Sequence, residues 1–336
     1  MSTEHSQPRY LITGAAGFIG SRVVESCQRQ SIPVLSVDEL QYFDRRPENQ
    51  GLNFGRRIHL RNLWDELKNP ELGPHSSTPI SGIIHLGAIS DTRETNQALL
   101  KELNLEYSQK LWNYATEQRI PFIYASSAAT YGNGEFGYDD QESKIPSLVP
   151  LNDYGRSKQS FDLWVLEQER QGRTPPHWCG FKFFNVYGMG EGHKGFMSSV
   201  VRHAYDEIKK CGKVTLFKSH KPGIPDGFQK RDFIFVQDVV DVLHFALEKP
   251  IARGIFNLGT GQARSFLDLA QSVFQALGQA PTLEFIDTPE ALRPKYQYFT
   301  QASMDRLKDE GWSRPFTDLE IGVKHYIHQL QEREIH

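Results

Sequence analysis

Short apolar runs rich in β-branched residues alternate with amphipathic stretches through the first half of the chain. The runs predict strands at Tyr10–Thr13, Pro33–Asp38, Gly82–Leu86, Phe122–Ser126 and Gly180–Phe184. Between them, apolar positions spaced at a helical period predict helices such as Leu105–Gln118 and Ser160–Gln171. Strands that alternate with helices, and carry little polar alternation of their own, predict an α/β fold. The expected form is a Rossmann-type, doubly wound parallel sheet covered on both faces. After Asn185 the alternation loosens. Strands are expected at Val214–Phe217, Phe233–Val236 and Ile255–Leu258, and helices at Ser198–Lys209, Phe266–Leu277 and Phe316–Gln331. The division expected is a larger domain over 1–185 and a smaller α/β lobe over 186–336, with some segments returning to the first. Asn69–Ser81 and Lys218–Lys230, both rich in Pro and Gly, read as loops.

One of these loops carries chemistry. Gly14-Ala15-Ala16-Gly17-Phe18-Ile19-Gly20 follows the first predicted strand, and the second predicted strand ends on Asp38. Gly14 permits a tight turn, Gly17 permits close approach of backbone to a pyrophosphate, and Gly20 lets the helix lie near the strand. The helix N-terminus then offers unpaired N–H groups to phosphate charge. An acid about twenty residues after the loop suits a ribose hydroxyl. The first domain is therefore expected to bind a dinucleotide.

Composition narrows the class. The 336 residues carry a net charge of −3, which suggests neither a nucleic-acid nor an acidic-membrane partner. Cys27, Cys179 and Cys211 are scattered, so neither a disulfide framework nor a metal site is expected, and a reducing cytoplasm is. Met1–Pro8 is polar and lacks the apolar core of a signal peptide, and no apolar run is long enough to span a bilayer.

Tyr154-Gly155-Arg156-Ser157-Lys158 places a phenol and an amine four residues apart, on one face of a helix. A nearby ammonium favours phenolate and should lower the phenol's pKa. Such a tyrosine can take a proton from an alcohol while hydride leaves the carbon. The alternative is a surface tyrosine beside a solvated lysine. Against that stands Tyr124-Ala125-Ser126-Ser127-Ala128-Ala129-Thr130-Tyr131-Gly132, which follows a predicted strand. In a parallel sheet the carboxyl ends of strands face the ligand crevice, so these hydroxyls can reach a substrate oxygen and the phenol.

Together the glycine loop, the serine segment and the Tyr–Lys pair resemble the extended short-chain dehydrogenase/reductase family, which acts on nucleotide sugars. Further matches are His85-Leu86-Gly87-Ala88, Asn104, Arg231–Val239 as a late nucleotide-binding strand, and Asn257–Gly261 as the turn after it. Phe183–Gly195 and Tyr296–Ala302 resemble the heptose 6-epimerase branch, which inverts C6 of an ADP-heptose for the lipopolysaccharide core. That resemblance implies transient oxidation at C6 and re-reduction on the other face. It implies catalytic roles for Tyr154 and Lys194 as two proton partners, for Ser127 in polarising the oxygen and for Lys158 in orienting the cofactor. It implies cofactor contacts from Gly14, Gly17, Phe18, Ile19, Gly20, Asp38, Glu39, Arg45, Leu86, Gly87, Ala88, Ser90, Asn104, Lys158 and Val186. Substrate contacts are implied for Asn185, Phe196, His203, Phe217, Lys218, Ser219, His220, Arg231 and Tyr296. Arg231 can instead pair with Asp232 or Glu191, and His203 can instead be a packed histidine.

The cofactor expected is NADP, with NAD as the alternative. Asp38 suits a free ribose hydroxyl, whereas Arg45, Arg46 and Arg56 suit a 2′-phosphate, and Arg45 falls where the epimerases place a lysine for it. The family implies a homo-oligomer, typically a ring of five. Three departures fall on this background. Phe196 stands where the family usually has serine, the Lys218–Lys230 segment is long, and Leu86 replaces a frequent acid. Rival readings are a C4 epimerase or another redox enzyme on a hexose nucleotide, a 4,6-dehydratase, which lacks its Asp-Glu pair here because Ala128-Ala129 occupies that place, and a non-catalytic cofactor-binding scaffold.

Overall fold

In a computed structural model of the chain, the described residues are 9–70, 72, 76, 78–249, 251–290, 292–293 and 296–335. The polar N-terminus and residues 71, 73–75 and 77 of the Asn69–Ser81 segment lie outside them. The described residues form twelve strands in chain order. β1 (Arg9–Thr13), β2 (Val34–Asp38), β3 (Arg56–His59), β4 (Ile80–His85), β5 (Phe122–Ser127) and β6 (Trp178–Phe183) come from the first half. β7 (Asn185–Tyr187), β8 (Val214–Phe217), β9 (Lys230–Phe235), β10 (Gly254–Leu258), β11 (Ala263–Ser265) and β12 (Leu283–Ile286) follow.

A seven-stranded sheet runs in the order β10-β6-β5-β4-β1-β2-β3, and every neighbouring pair is parallel. The continuous apolar runs make this possible: Leu11, Ile12, Ile83, Ile84, Phe122 and Ile123 are fully buried, because helices cover both faces. Chain order reverses between β1 and β4, the place where a doubly wound sheet puts its ligand crevice. A second core gathers Tyr187, Val201, Tyr205, Phe233, Phe235, Val273 and Tyr326 around the three-stranded β11-β9-β7 sheet and the helices Val200–Cys211, Phe266–Ala276 and Leu319–Ile335. Phe18, at the start of the first helix (Phe18–Arg29), packs into this second core and so joins the glycine loop to it.

The stretch Arg231–Val239, expected as one strand, divides. β9 ends at Phe235, and Val236–Glu248 is a helix that buries Val236, Val239, Val240 and Leu243. Those positions carry the helical spacing, and the β-branched composition masked it. The predicted helix Leu105–Gln118 begins earlier, at Gln97–Leu100, and passes through a π-helical turn at Lys101–Glu106 before Tyr107–Glu117.

Candidate active site

The glycine loop sits on the switch point. Gly14 has a φ of +67°, and a Cβ there would lie 2.7 Å from the Gly87 nitrogen in the loop after β4. At Gly20 a Cβ would lie 2.0 Å from the Gly14 carbonyl oxygen. No side chain caps the first helix at Gly17, which leaves its opening N–H groups available to an anion. Asp38, at the end of β2, accepts from the backbone N–H groups of Ala16 at 3.0 Å and Glu39 at 2.8 Å. Burial nevertheless raises its carboxyl above the usual range, with Arg46 among the groups opposing that rise. The close backbone packing, the open helix end and the half-buried acid fit a dinucleotide.

The basic residues near Asp38 separate. Arg45 is exposed and donates to the Gln41 side chain at 2.9 Å. Arg46 turns inward, donates to the Ala16 carbonyl at 2.7 Å and stacks 4.0 Å from the Tyr42 ring centroid. Arg56 pairs with Glu66. Arg46 is therefore the guanidinium that faces the glycine loop.

A polar chain backs the crevice. The Gly87 N–H donates to Thr13 Oγ1 at 3.1 Å, Thr13 Oγ1 lies 2.6 Å from His85 Nδ1, and His85 Nε2 lies 2.8 Å from Ser108 Oγ. Ser108 donates to the Asn104 carbonyl at 2.8 Å, which leaves Nε2 of His85 to carry the ring proton. Burial and the nearby Lys158 push His85 down to about 3, so the ring is neutral. His85 thus supports the sheet and does not line the loop. The Asn104 side chain, buried in the π-helical turn, bonds both polar groups of Ile89 and donates to Ser157 Oγ at 3.0 Å. It fixes the Leu86–Ser90 loop to the helix that carries Tyr154.

That helix, Asp153–Arg170, starts at Asn152, whose side chain accepts from the Gly155 N–H at 2.7 Å. Tyr154 faces the Ser127 side chain, which favours the ionised phenol. Lys158 is buried and donates to the Ala125 carbonyl at 2.9 Å. Desolvation brings its amine down to about 8, against the pull of Asp162. The Tyr154 phenol is raised, not lowered as expected, because burial outweighs the pull of Ser127. Beneath these groups lies an ion pair that the sequence reading missed. Lys182 donates to Asp162 Oδ2 at 2.7 Å and to Thr130 Oγ1 at 2.8 Å, with both charged side chains fully buried. Asp162 also accepts from Ser126 at 2.7 Å and Tyr124 at 3.0 Å, and Thr130 donates to the Ser127 carbonyl at 2.8 Å. Asp162 follows Lys158 by one helical turn, and that spacing is the only signal the sequence offers.

Lys194 comes from the other half of the chain, in the short turn Gly192–Met197. Its ammonium lies 5.4 Å from the Phe18 ring centroid. Burial lowers its pKa, and the buried Glu191 opposes that fall. No hydrogen bond joins Lys194 to Tyr154 among the described residues. Phe196 is exposed, and the Arg93 guanidinium stacks 3.5 Å from its ring centroid. His203 faces the Phe196 carbonyl at 3.1 Å.

Among the expected substrate residues, Phe217, Arg231 and Tyr296 meet. The Phe217 and Tyr296 rings are 6.3 Å apart, and the Arg231 guanidinium lies 5.6 Å from Tyr296. The alternative salt bridge for Arg231 is absent. Asp232 instead accepts from the N–H groups of Thr260, Gly261 and Ala302, and Glu191 accepts from Ser199. Lys218, Ser219 and His220 form a separate loop, bonded to Asp287, Asp226 and Thr288 respectively. Asn185 is exposed at the start of β7, and Val186 beside it is half-buried.

Known proteins share this architecture. The chain is 42% identical over 336 residues to the ADP-L-glycero-D-manno-heptose-6-epimerase of Fusobacterium nucleatum, covering 96% of this chain and 98% of that one. It is 36% identical over 327 residues to the Brachyspira hyodysenteriae protein of the same name, covering 96% and 98%. The crystal structure of the Helicobacter pylori enzyme of that name superposes with a TM-score of 0.80 at 27% identity, covering 98% of both chains. The glycine crevice and the serine-backed Tyr–Lys pair lie within residues 10–259, which match the model of the NAD dependent epimerase/dehydratase family, and the chain belongs to that family.

Proposed function

We propose that this enzyme inverts C6 of an ADP-heptose, converting the D-glycero to the L-glycero form of ADP-D-manno-heptose. The observation that carries the reading is the pairing of two proton-handling sites. Tyr154, beside Ser127 and backed by buried Lys158, comes from the large sheet. Lys194, a partly desolvated amine, comes from the smaller lobe and lies beside the glycine-loop helix. The names of relatives 36–42% identical across nearly the whole chain supply the sugar.

The glycine loop, Asp38 and Lys158 would hold a nicotinamide dinucleotide, which would supply a reversible hydride acceptor for C6. The residues supply the rest. Ser127 holds the C6 oxygen while Tyr154 or Lys194 accepts the hydroxyl proton, leaving a ketone. The terminal group of the sugar turns, and the other residue gives a proton to the oxygen in its new position. Two proton partners are needed because the oxygen occupies two places in the two stereoisomers. The Lys158 ammonium steadies the ribose side and favours phenolate at Tyr154 once the site is filled. Arg231, with its aromatic neighbours and no acidic partner among the described residues, suits the substrate diphosphate.

The cofactor favoured is NADP, with NAD second. Arg46 is the better partner for a 2′-phosphate than Arg45, since it reaches the glycine loop. A cytoplasmic homo-oligomer, a ring of five, completes the reading. A panel of nucleotide heptoses and hexoses tests it, with product stereochemistry read by NMR. Inversion confined to C6 of the ADP-heptose supports the proposal, and inversion at C4 of a hexose nucleotide contradicts it.

A further inference from the structure

The turn that carries Lys194 is not held by hydrophobic burial. Gly192, His193, Gly195 and Phe196 are exposed, and Gly195 (φ +54°) would meet nothing within 4 Å if it carried a Cβ. Polar contacts must seat it. At its far end, Phe196 is held by Arg93 and His203. At its near end the contact is Glu48, from a distant part of the chain. The His193 N–H donates to Glu48 Oε1 at 2.6 Å, and His193 Nδ1 lies 3.1 Å from the same oxygen. Glu48 is only 7% exposed and belongs to the single turn Pro47–Asn49.

That turn also grips the glycine loop. Asn49 donates to the Ala16 carbonyl at 3.0 Å, as Arg46 does at 2.7 Å. The Glu48 carbonyl accepts from Arg22 of the first helix and from Arg333 of the last, each at 3.2 Å. The stretch 46–49 is therefore pinned by both lobes, and among the described residues its hydrogen bonds to the Lys194 turn come from the carboxylate of Glu48.

From these contacts we infer that Glu48 is a positioning residue for Lys194, seating the Gly192–Met197 turn against the segment that grips the glycine loop. The inference rests on the reading of Lys194 as the second proton partner. Burial raises the Glu48 carboxyl, but the hydrogen bonds from His193 outweigh it and hold the group at about 2. The seat is thus charged throughout the neutral range. Whatever binds near Arg46 shares an anchor with the amine.

The test uses the full-length enzyme and the variants Glu48→Ala, Glu48→Gln and Lys194→Ala. The first readout is independent of turnover. Acetic anhydride labels lysines, and mass spectrometry gives the Lys194 rate relative to the exposed Lys68. In Glu48→Ala the relative rate should rise about tenfold, as local opening of the turn becomes easy. Glu48→Gln keeps an acceptor oxygen and should stay within about threefold of the parent. The second readout is the transient absorbance of reduced nicotinamide with each C6 epimer of the ADP-heptose. Glu48→Ala should lose the transient with one epimer and keep it with the other, because only one epimer gives its proton to Lys194. An unchanged labelling rate overturns the inference, as does equal loss of both transients. If Lys194→Ala keeps both transients, the two-base reading itself fails, while the labelling rate still decides whether Glu48 seats the turn.

Discussion

The two proposed proton partners, Tyr154 and Lys194, are built by opposite means. Tyr154, Ser127 and Lys158 stand on a helix and a strand end whose backbone is fixed by the parallel sheet, with a fully buried ion pair beneath. Lys194 stands on a short, exposed turn held by a few side-chain contacts from remote segments. The difference suits an alcohol that must present its oxygen in two places. One partner is rigid, and the other is adjustable enough to meet a terminal group that has turned.

The sharpest way to break the comparison is to remove the rigid partner's proton site. Tyr154→Phe should lower epimerisation by about a thousandfold while the protein stays folded and still binds cofactor. NMR of the product and a cofactor titration check both statements. Next comes the foundation under that partner. Lys182→Met leaves Asp162 charged, buried and without its cation, and should cost about 3 kcal/mol of stability by urea unfolding. No removal of a single contact at the Lys194 turn should approach that loss, since the turn buries so little.

The two sites also differ in pH response. Lys158 is protonated below about 8 and neutral above it, so its charge beside Tyr154 is lost as pH rises. We expect the Tyr154-dependent rate to fall by up to about tenfold per pH unit above that point, as an ionisation requires. The stability linkage runs the other way. A folded pKa depressed below 10.5 means that the unfolded chain binds more protons between about 8 and 10.5, so this group's contribution to stability rises with pH across that window. A Lys158→Met variant should lack this alkaline rise in urea stability. The smallest expected effect concerns the cofactor's far end. Arg46→Ala should weaken NADP binding about tenfold by fluorescence titration, whereas Arg45→Ala should change it less than about twofold.

Much of the rigid half was legible in the sequence. A strand, glycines at fixed offsets and an acid ending the next strand are local patterns, and each answers to one backbone requirement. Tyr154 and Lys158 were legible because helical spacing alone puts them on one face. The place of β10 beside β6 was not, since it depends on a pairing between Gly254–Leu258 and a segment some seventy residues earlier. No local pattern marks Glu48 or Glu191 as buried, and the fold is what places them beneath the Lys194 turn. Asp162 and Lys182 escaped notice for a related reason. A charge on an amphipathic helix and a charge in a strand look exposed until the sheet brings them together. Arg45 and Arg46 were separated only by the direction of the chain after Gln41.

The central claim is that two residues, on two kinds of support, handle the two positions of one oxygen. Product stereochemistry from the Lys194→Ala enzyme, with cofactor binding measured in parallel, tests it most directly. The account predicts intact cofactor binding and loss of C6 inversion. Full-speed inversion by Lys194→Ala, alongside an inactive Tyr154→Phe, would contradict it.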